Sequence, residues 1–314
     1  MAMGEKESPK PPEKVLKEAG FNVSEKCYSR PSCFDYAARK NDNLIIVKAQ
    51  PDIRHLCSND FLALKTISET VSAASIIVSD RTHEKPFEDD TVYTRYGVLA
   101  ITSKTFENII LYEVHPLIQA GPGGYYVEVD GATIKRGRQK LGYSIGELAE
   151  KVGISRRTLY GYEHGLAKAT VPAAYNLVRV LGVPIAKPVN IFEKPKSQHK
   201  CIFTSAKRAI ARSKFLRKIF RKLSCSIVQV EKAPFDFVIN IPEEKTRIIG
   251  GVADKTEPKL DRRVDEILSV SKIIQAHPLL IAEDQKILGK HISCVGREEF
   301  SKIRNTEDLI EVIT

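Results

Sequence analysis

The sequence contains no cysteine pair in CxxC spacing, no histidine pair in HxxxH spacing, and no glycine-rich loop ending in GKS or GKT. Each absence removes a class of chemistry. Without CxxC, the cysteines at 27, 33, 57, 201, 225 and 294 do not outline a zinc module. Six thiols so scattered read as reduced residues of a cytoplasmic protein. The glycines at 121, 123 and 124 lack the lysine of a phosphate loop, so this stretch reads as a hinge or linker. No apolar run approaches the roughly 18 residues of a membrane span. The polar opening "MAMGEKESPKPPEK" lacks the apolar centre of a signal peptide. No Ser-His-Asp set is legible, and neither a metal nor a cofactor is expected.

Basic charge is plentiful and unevenly placed. The chain of 314 residues carries a net charge of +10. Residues 195–223 hold ten Lys or Arg and no acid, and residues 131–183 hold nine basic residues against three acidic ones. The outer regions are then neutral to acidic. Two contiguous basic segments suit a footprint on phosphates, whereas a scatter would say nothing about partners. Within the first of them, "RSKFLRKIFRKL" has an apolar stripe of Phe215, Leu216, Ile219, Phe220 and Leu223. Core packing with a basic outer face is the preferred reading, DNA backbone the second, and a membrane surface a distant third.

The second segment contains "GYSIGELAEKVGISRRTLYGYEHG". Ser144 can cap a helix with apolar positions Ile145, Leu148, Ala149 and Val152, at helical spacing. Gly153 permits the left-handed turn that ends it. Ser155 caps a second helix with Leu159 and Tyr162 facing inward, and the small Ala149 allows a close crossing. Helices over about residues 133–141 and 172–181 would complete an all-helical core. The same spacing suits any compact helical hairpin, so spacing alone leaves DNA binding open.

This segment resembles the helix-turn-helix of the phage Cro and lambda-repressor class over about 50 residues. The resemblance rests on Arg138, Gly142, Leu148, Ala149, "VGISRRT", Glu163, Gly165 and "Leu177…Leu181-Gly182-Val183". It implies that the helix starting at Ser155 enters the major groove, with Ser155, Arg156, Arg157, Thr158 and Tyr160 toward the bases. Arginine suits guanine because its fork matches the O6 and N7 acceptors. The resemblance makes Arg138 and Glu163 a partly buried ion pair. Lys135, Arg136, Lys140, Ser144 and Lys151 are candidate phosphate contacts. Two positions depart from the class: Gly161 replaces a base-reading side chain, and Ile145 replaces a phosphate-binding glutamine.

The flanks resemble one another. "SCFDYAARKNDNLIIVKA" and "APFDFVINIPEEKTRIIGGVA" both read as a strand with Phe-Asp, a turn and an apolar strand. An amphipathic helix follows each, and Leu64, Ile67 and Val71 match Ile267, Val270 and Ile274 at an offset of 203. The order of elements resembles the restriction-endonuclease-like core, in which an Asp and an acid-x-Lys hold a divalent metal. Asp35 and Lys48 fit two of those positions, but Ile46 stands at the acid. Asp236 remains in the second flank, where Ile248, Ile249 and Gly250 supply neither acid nor lysine. Both sites are expected to be degenerate.

The whole pattern, including "AGPGGYYVEVDGATIKRGRQK", resembles an archaeal family of HTH-type transcriptional regulatory proteins. The expected fold class is multidomain, α/β plus all-α. A nuclease-like inactive domain would span 1–122, the linker strand and helix-turn-helix 123–190, and a duplicate of the first domain 191–314. The expected function is non-catalytic, sequence-preferring binding of double-stranded DNA by a cytoplasmic homodimer, with the flanks as dimer surfaces. The alternatives are a metal-dependent nuclease and a bridging factor whose helical module binds protein.

Overall fold

The computed structural model describes residues 9–83, 85–194, 226–253, 257–282, 292–303 and 305–313. The basic segment 195–223 lies outside them, with the stripe from Phe215 to Leu223. Among the described residues, no helix is long and apolar enough to cross a membrane. The chain divides into two compact units. Of the described residues, one holds 9–11, 51–53 and 78–191, and the other holds 12–50, 54–77 and those from 192 onward.

The N-terminal flank opens with α1 (Pro12–Glu18), β1 (Asn22–Val23), β2 (Tyr36–Lys40) and β3 (Asn43–Ala49). Helix α2 (Ser58–Val71) and β4 (Ala74–Val78) follow. Strands β1, β2 and β3 are antiparallel neighbours, with Tyr36 opposite Val47 and Arg39 opposite Leu44. Leu44, Ile45, Ile46 and Val47 are all buried, the continuous apolar run of a strand covered on both faces. Helix α2 buries Phe61, Leu64, Ile67 and Val71, a stripe at spacings of three and four.

The other unit carries the short pair β5 (Arg81–Thr82) and β6 (Lys85–Pro86), then β7 (Thr91–Arg95), β8 (Val98–Ile101) and α3 (Ser103–Tyr112). Strands β9 (Ile118–Gly121) and β10 (Gly124–Val127) form a hairpin closed by Pro122 and Gly123. Four helices and a short strand follow: α4 (Gly131–Lys140), α5 (Ile145–Val152), α6 (Arg156–Glu163), β11 (Ala169–Thr170) and α7 (Val171–Leu181). The strand order is β8-β7-β9-β10-β11. The glycine-rich stretch, read as a hinge or linker, is the turn of this hairpin. "YYVEV", with the alternation of an edge strand, lies instead between β9 and β11 because the short strand after α6 covers its free side. Asp130 caps α4, which starts at Gly131. Asp130 Oδ1 accepts from Ala132 N at 3.1 Å, and its Oδ2 accepts from Thr133 Oγ1 at 2.6 Å.

The C-terminal flank contains β12 (Ser226–Gln229), β13 (Phe237–Ile241), β14 (Thr246–Val252), α8 (Leu260–Ile274) and β15 (His277–Ala282). It closes with β16 (Ser293–Gly296), α9 (Arg297–Lys302) and α10 (Thr306–Ile313). Its sheet runs β12-β13-β14-β15-β16, antiparallel up to β14 and parallel beyond it. The offset of 203 holds well past the three apolar pairs. It carries β3 onto β14 residue for residue, and Ser72, left-handed at the end of α2, onto the left-handed Gln275 after α8. The closing bond Ala73 N to Ser68 O recurs as Ala276 N to Ser271 O, at 2.8 and 2.9 Å.

Far apart in sequence, the first part of the N-terminal flank and the C-terminal flank belong to one compact unit. Phe34 and Phe235 face each other with ring centroids 6.2 Å apart. Cys33 N donates to Lys232 O at 2.9 Å, and Lys232 Nζ reaches Asp60 Oδ1 at 2.6 Å. The flanks were expected to offer surfaces to a second chain; these faces already cover one another.

Candidate nucleic-acid interface

Four helices enclose a small core of Ile134, Leu148, Val152, Leu159, Tyr162 and Leu177 with their neighbours. Local chemistry sets each boundary. Ser144 and Glu147 form a reciprocal capping box at α5: Ser144 Oγ accepts from Glu147 N at 3.2 Å, and Ser144 N donates to Glu147 Oε2 at 2.7 Å. Those bonds from Ser144 hold the Glu147 carboxyl below the usual range. Gly153 ends α5 with φ +79°, a value few other residues adopt at low cost. Ser155 then caps α6, accepting from Thr158 N at 3.0 Å, while its hydroxyl also meets Thr158 Oγ1 at 2.8 Å. The two helices are thus joined by a tight turn with Ala149 buried at their crossing.

An ion pair fixes the far end of α6. Arg138 Nε reaches Glu163 Oε1 at 2.6 Å, and Nη2 reaches Oε2 at 3.0 Å. The third nitrogen donates to Tyr143 O at 3.0 Å, tying α4, the α4–α5 turn and α6 together. The Glu163 side chain is 1% exposed, so the fork of Arg138 is its compensation. The bond to Glu163 raises the Arg138 pKa. Gly131 belongs to the same junction. A Cβ there would stand 2.4 Å from Glu163 O and 2.5 Å from Tyr162 O, so only glycine lets α4 start against the end of α6.

With its inner face so held, α6 turns the other side outward. Ser155, Arg156, Arg157 and Tyr160 are exposed and Thr158 half-buried, while Leu159 and Tyr162 are buried. Arg156 folds back over α5: a Cβ on Gly146 would lie 2.7 Å from Nε and 3.0 Å from Nη2. Gly146 is a seat for that guanidinium, a role not read from the sequence. The signal was there, because a glycine in the first turn of a helix costs stability and needs a reason. Tyr160 stacks on His164 at 3.9 Å between centroids. Lys151 Nζ stands 5.2 Å above the Tyr143 ring. Lys135, Arg136 and Lys140 are exposed on α4, with Arg136 Nη2 donating to Thr133 Oγ1 at 2.9 Å. Ser144 caps α5, and its backbone N–H is taken by the Glu147 carboxylate. At Gly161 the nearest foreign atom to an added Cβ is Ala167 Cβ at 3.8 Å, so no close contact demands glycine there.

Comparison with known proteins fits this geometry. A family model described as "Helix-turn-helix" matches residues 134–187, and one described as "PD-(D/E)XK superfamily domain" matches residues 9–116. A protein of Methanococcus vannielii is 33% identical over 313 residues, covering 95% of this chain and 94% of its own. A relative from Methanococcus maripaludis strain C6 is 32% identical over 317 residues, at 95% and 94% coverage. One from Pyrococcus furiosus is 28% identical over 303 residues, at 96% and 95%. All three bear, as a provisional name, that of HTH-type transcriptional regulatory proteins. The chain belongs to that archaeal family. A solved SinR protein/SinI protein complex matches 29% of the chain and 86% of its own at 28% identity, with a TM-score of 0.17; so low a score carries no argument.

The match to the PD-(D/E)XK superfamily raises the question of a metal, and the residues do not fit one. Asp35 is buried, with Oδ1 accepting from Lys48 Nζ at 3.1 Å and Oδ2 from Ala49 N at 2.7 Å. Lys48 also donates to Ser32 O at 3.0 Å, and Ile46 stands fully buried at the acid position. Asp236 Oδ1 accepts from Arg30 Nη1 at 2.8 Å, and its Oδ2 accepts from Arg263 Nη2 at 2.6 Å and Val252 N at 2.7 Å. Each carboxylate is neutralised by the protein's own cations. Among the described residues, no three His, Cys, Asp or Glu side chains gather as a metal site would require.

Proposed function

We propose that this protein regulates transcription by binding double-stranded DNA with a sequence preference, reading the major groove with α6 and performing no catalysis. One observation carries the reading. The capped N-terminus of α6 presents Ser155, Arg156 and Arg157 to solvent, while Glu163 at its other end is locked to Arg138. Arg157 and Tyr160 reach for base edges. Arg156, drawn back over Gly146, serves the backbone beside the first turn of α5. Lys135, Arg136, Lys140 and Lys151 add affinity that falls with salt.

The non-catalytic reading is supported by Asp35 and Asp236, which are paired with Lys48 and with two arginines. Reading two half-sites calls for a homodimer, and the protein would work in the cytoplasm. By lineage the chain is read as three parts, 1–122, 123–190 and 191–314, the last a duplicate of the first. The persistent offset of 203 supports the duplication.

The test is selection of bound sequences from random duplex DNA, by wild type and by the Arg156→Ala, Arg157→Ala double variant at two salt concentrations. A palindromic motif that the variant loses is expected, since a bidentate base contact is worth about 1–3 kcal/mol. Equal, motif-free, salt-sensitive binding by both proteins would refute the reading and favour a module that binds protein. Cleavage that requires Mg²⁺ would instead establish a nuclease.

A further inference from the structure

Asp35 and Asp236 sit at corresponding places and are held in different ways. The Oδ2 of each accepts from a backbone N–H at 2.7 Å, that of Ala49 and that of Val252, which are 203 positions apart. Beyond that bond the sites diverge. The position 203 beyond Lys48 is Gly251, where a Cβ would stand 2.8 Å from Arg263 Nη2. Arg263 comes from α8, is 1% exposed, and supplies the cation that β14 lacks. A second cation, Arg30, arrives from the N-terminal flank. Glu257 closes the ring, with Oε1 2.7 Å from Arg30 Nη2 and Oε2 2.7 Å from Arg263 Nη1. Two guanidiniums and two carboxylates alternate, and each carboxylate bridges both arginines.

We infer that Asp236 has become the clamp that fastens the second flank to the first, and that the two flanks pair within one chain as the subunits of an isologous dimer pair between chains. In such an interface residue i meets j while j meets i. Arg39 of β2 donates from Nε to Ile273 O at 2.7 Å, at the end of α8. Asn240 of β13, 201 positions further on, donates from Nδ2 to Thr70 O at 3.1 Å, at the end of α2. Thr70 and Ile273 differ by 203. Phe34 and Phe235 differ by 201 and face each other. These contacts exchange places when the flanks are exchanged. The partner of this surface is the chain's other half, so a second chain does not dock through it.

Hydrogen exchange on the full chain tests the inference. Among the described residues, four amides bond across the flanks: Glu25 N to Ser269 Oγ at 2.8 Å, Tyr28 N and Ser29 N to Glu266 Oε1 at 3.0 and 2.8 Å, and Cys33 N to Lys232 O at 2.9 Å. Asp35 N to Val47 O and Ala276 N to Ser271 O lie within one flank. Arg30→Ala is expected to speed exchange at the four crossing amides about tenfold or more while leaving the other two unchanged. Arg30→Lys is expected to do so less; its single amine keeps the charge but cannot bridge Asp236 and Glu257, and it preserves the test if the alanine variant fails to fold. Unchanged exchange at all four amides in both variants would overturn the clamp. In wild type their exchange is expected to be independent of protein concentration; faster exchange on dilution would place the partner in a second chain. Titration with Mn²⁺ alone is expected to give no saturable binding, and saturable binding lost in Asp236→Asn would restore a metal site.

Discussion

Arg138→Met offers the sharpest test of how the helical module is held. The substitution keeps a long apolar stem but leaves the Glu163 carboxylate, 1% exposed, without the fork that satisfies both its oxygens. Removing one partner of a buried pair costs about 3–5 kcal/mol, mostly from the charge left behind. A module of about 60 residues has roughly 3–9 kcal/mol in all. The variant is therefore expected to spend much of its time with α6 detached from α4. Hydrogen exchange read at the amides of Tyr143 and His164, with urea unfolding followed in parallel, gives the loss directly. The double variant Arg138→Met, Glu163→Leu should recover most of it, because an apolar pair carries no desolvation cost. A loss below about 1 kcal/mol would refute the reasoning by ranking this pair with surface salt bridges.

Gly146→Ala should leave the fold intact and add helix propensity of roughly 1 kcal/mol, since the atoms in its way are the mobile end of Arg156. DNA affinity is expected to fall with a shallower salt dependence, measured by titration at several salt concentrations; an unchanged slope would remove Arg156 from the phosphate contacts. Acid should loosen the helix caps. Asp130, held down by its bond from Thr133, and Glu147, held down by Ser144, each have a folded pKa below the unfolded one. Such groups stabilise the fold above their ordinary values of 3.8 and 4.5, and lose that contribution as pH falls through the lower folded values. Urea midpoints measured from pH 6 downward, as roughly placed by those carboxylate ranges, should drop less for Asp130→Asn with Glu147→Gln than for wild type. Parallel curves would refute the sign.

Much of the central module was legible because its signals are local. A serine before an apolar-periodic run has few uses other than capping, and glycine at 153 tolerates a backbone that other residues resist. The 203-residue offset was also visible, since helices α2 and α8 must each bury one stripe. Gly146 was missed because its reason is a side chain ten residues away. Ser144 was legible as a cap, and Ser-x-x-Glu over residues 144–147 carries the spacing of the reciprocal capping box that the structure shows. The strand after α6 escaped notice because two residues carry no periodicity, and that strand turned an apparent edge into the middle of a sheet.

The sequence by itself determined the helices of the central module, the caps at Ser144 and Ser155 and the 203-residue offset between the flanks, because each depends on local spacing or on which residue types are present. Only the tertiary structure decided what those positions became. Arg30 and Asp236 are 206 residues apart, and Arg263 answers a lysine missing from a different element. A half-buried carboxylate is stabilised by a cation beside it, but the chain order does not say which one. Folding brings the two flanks into a single unit and makes that choice.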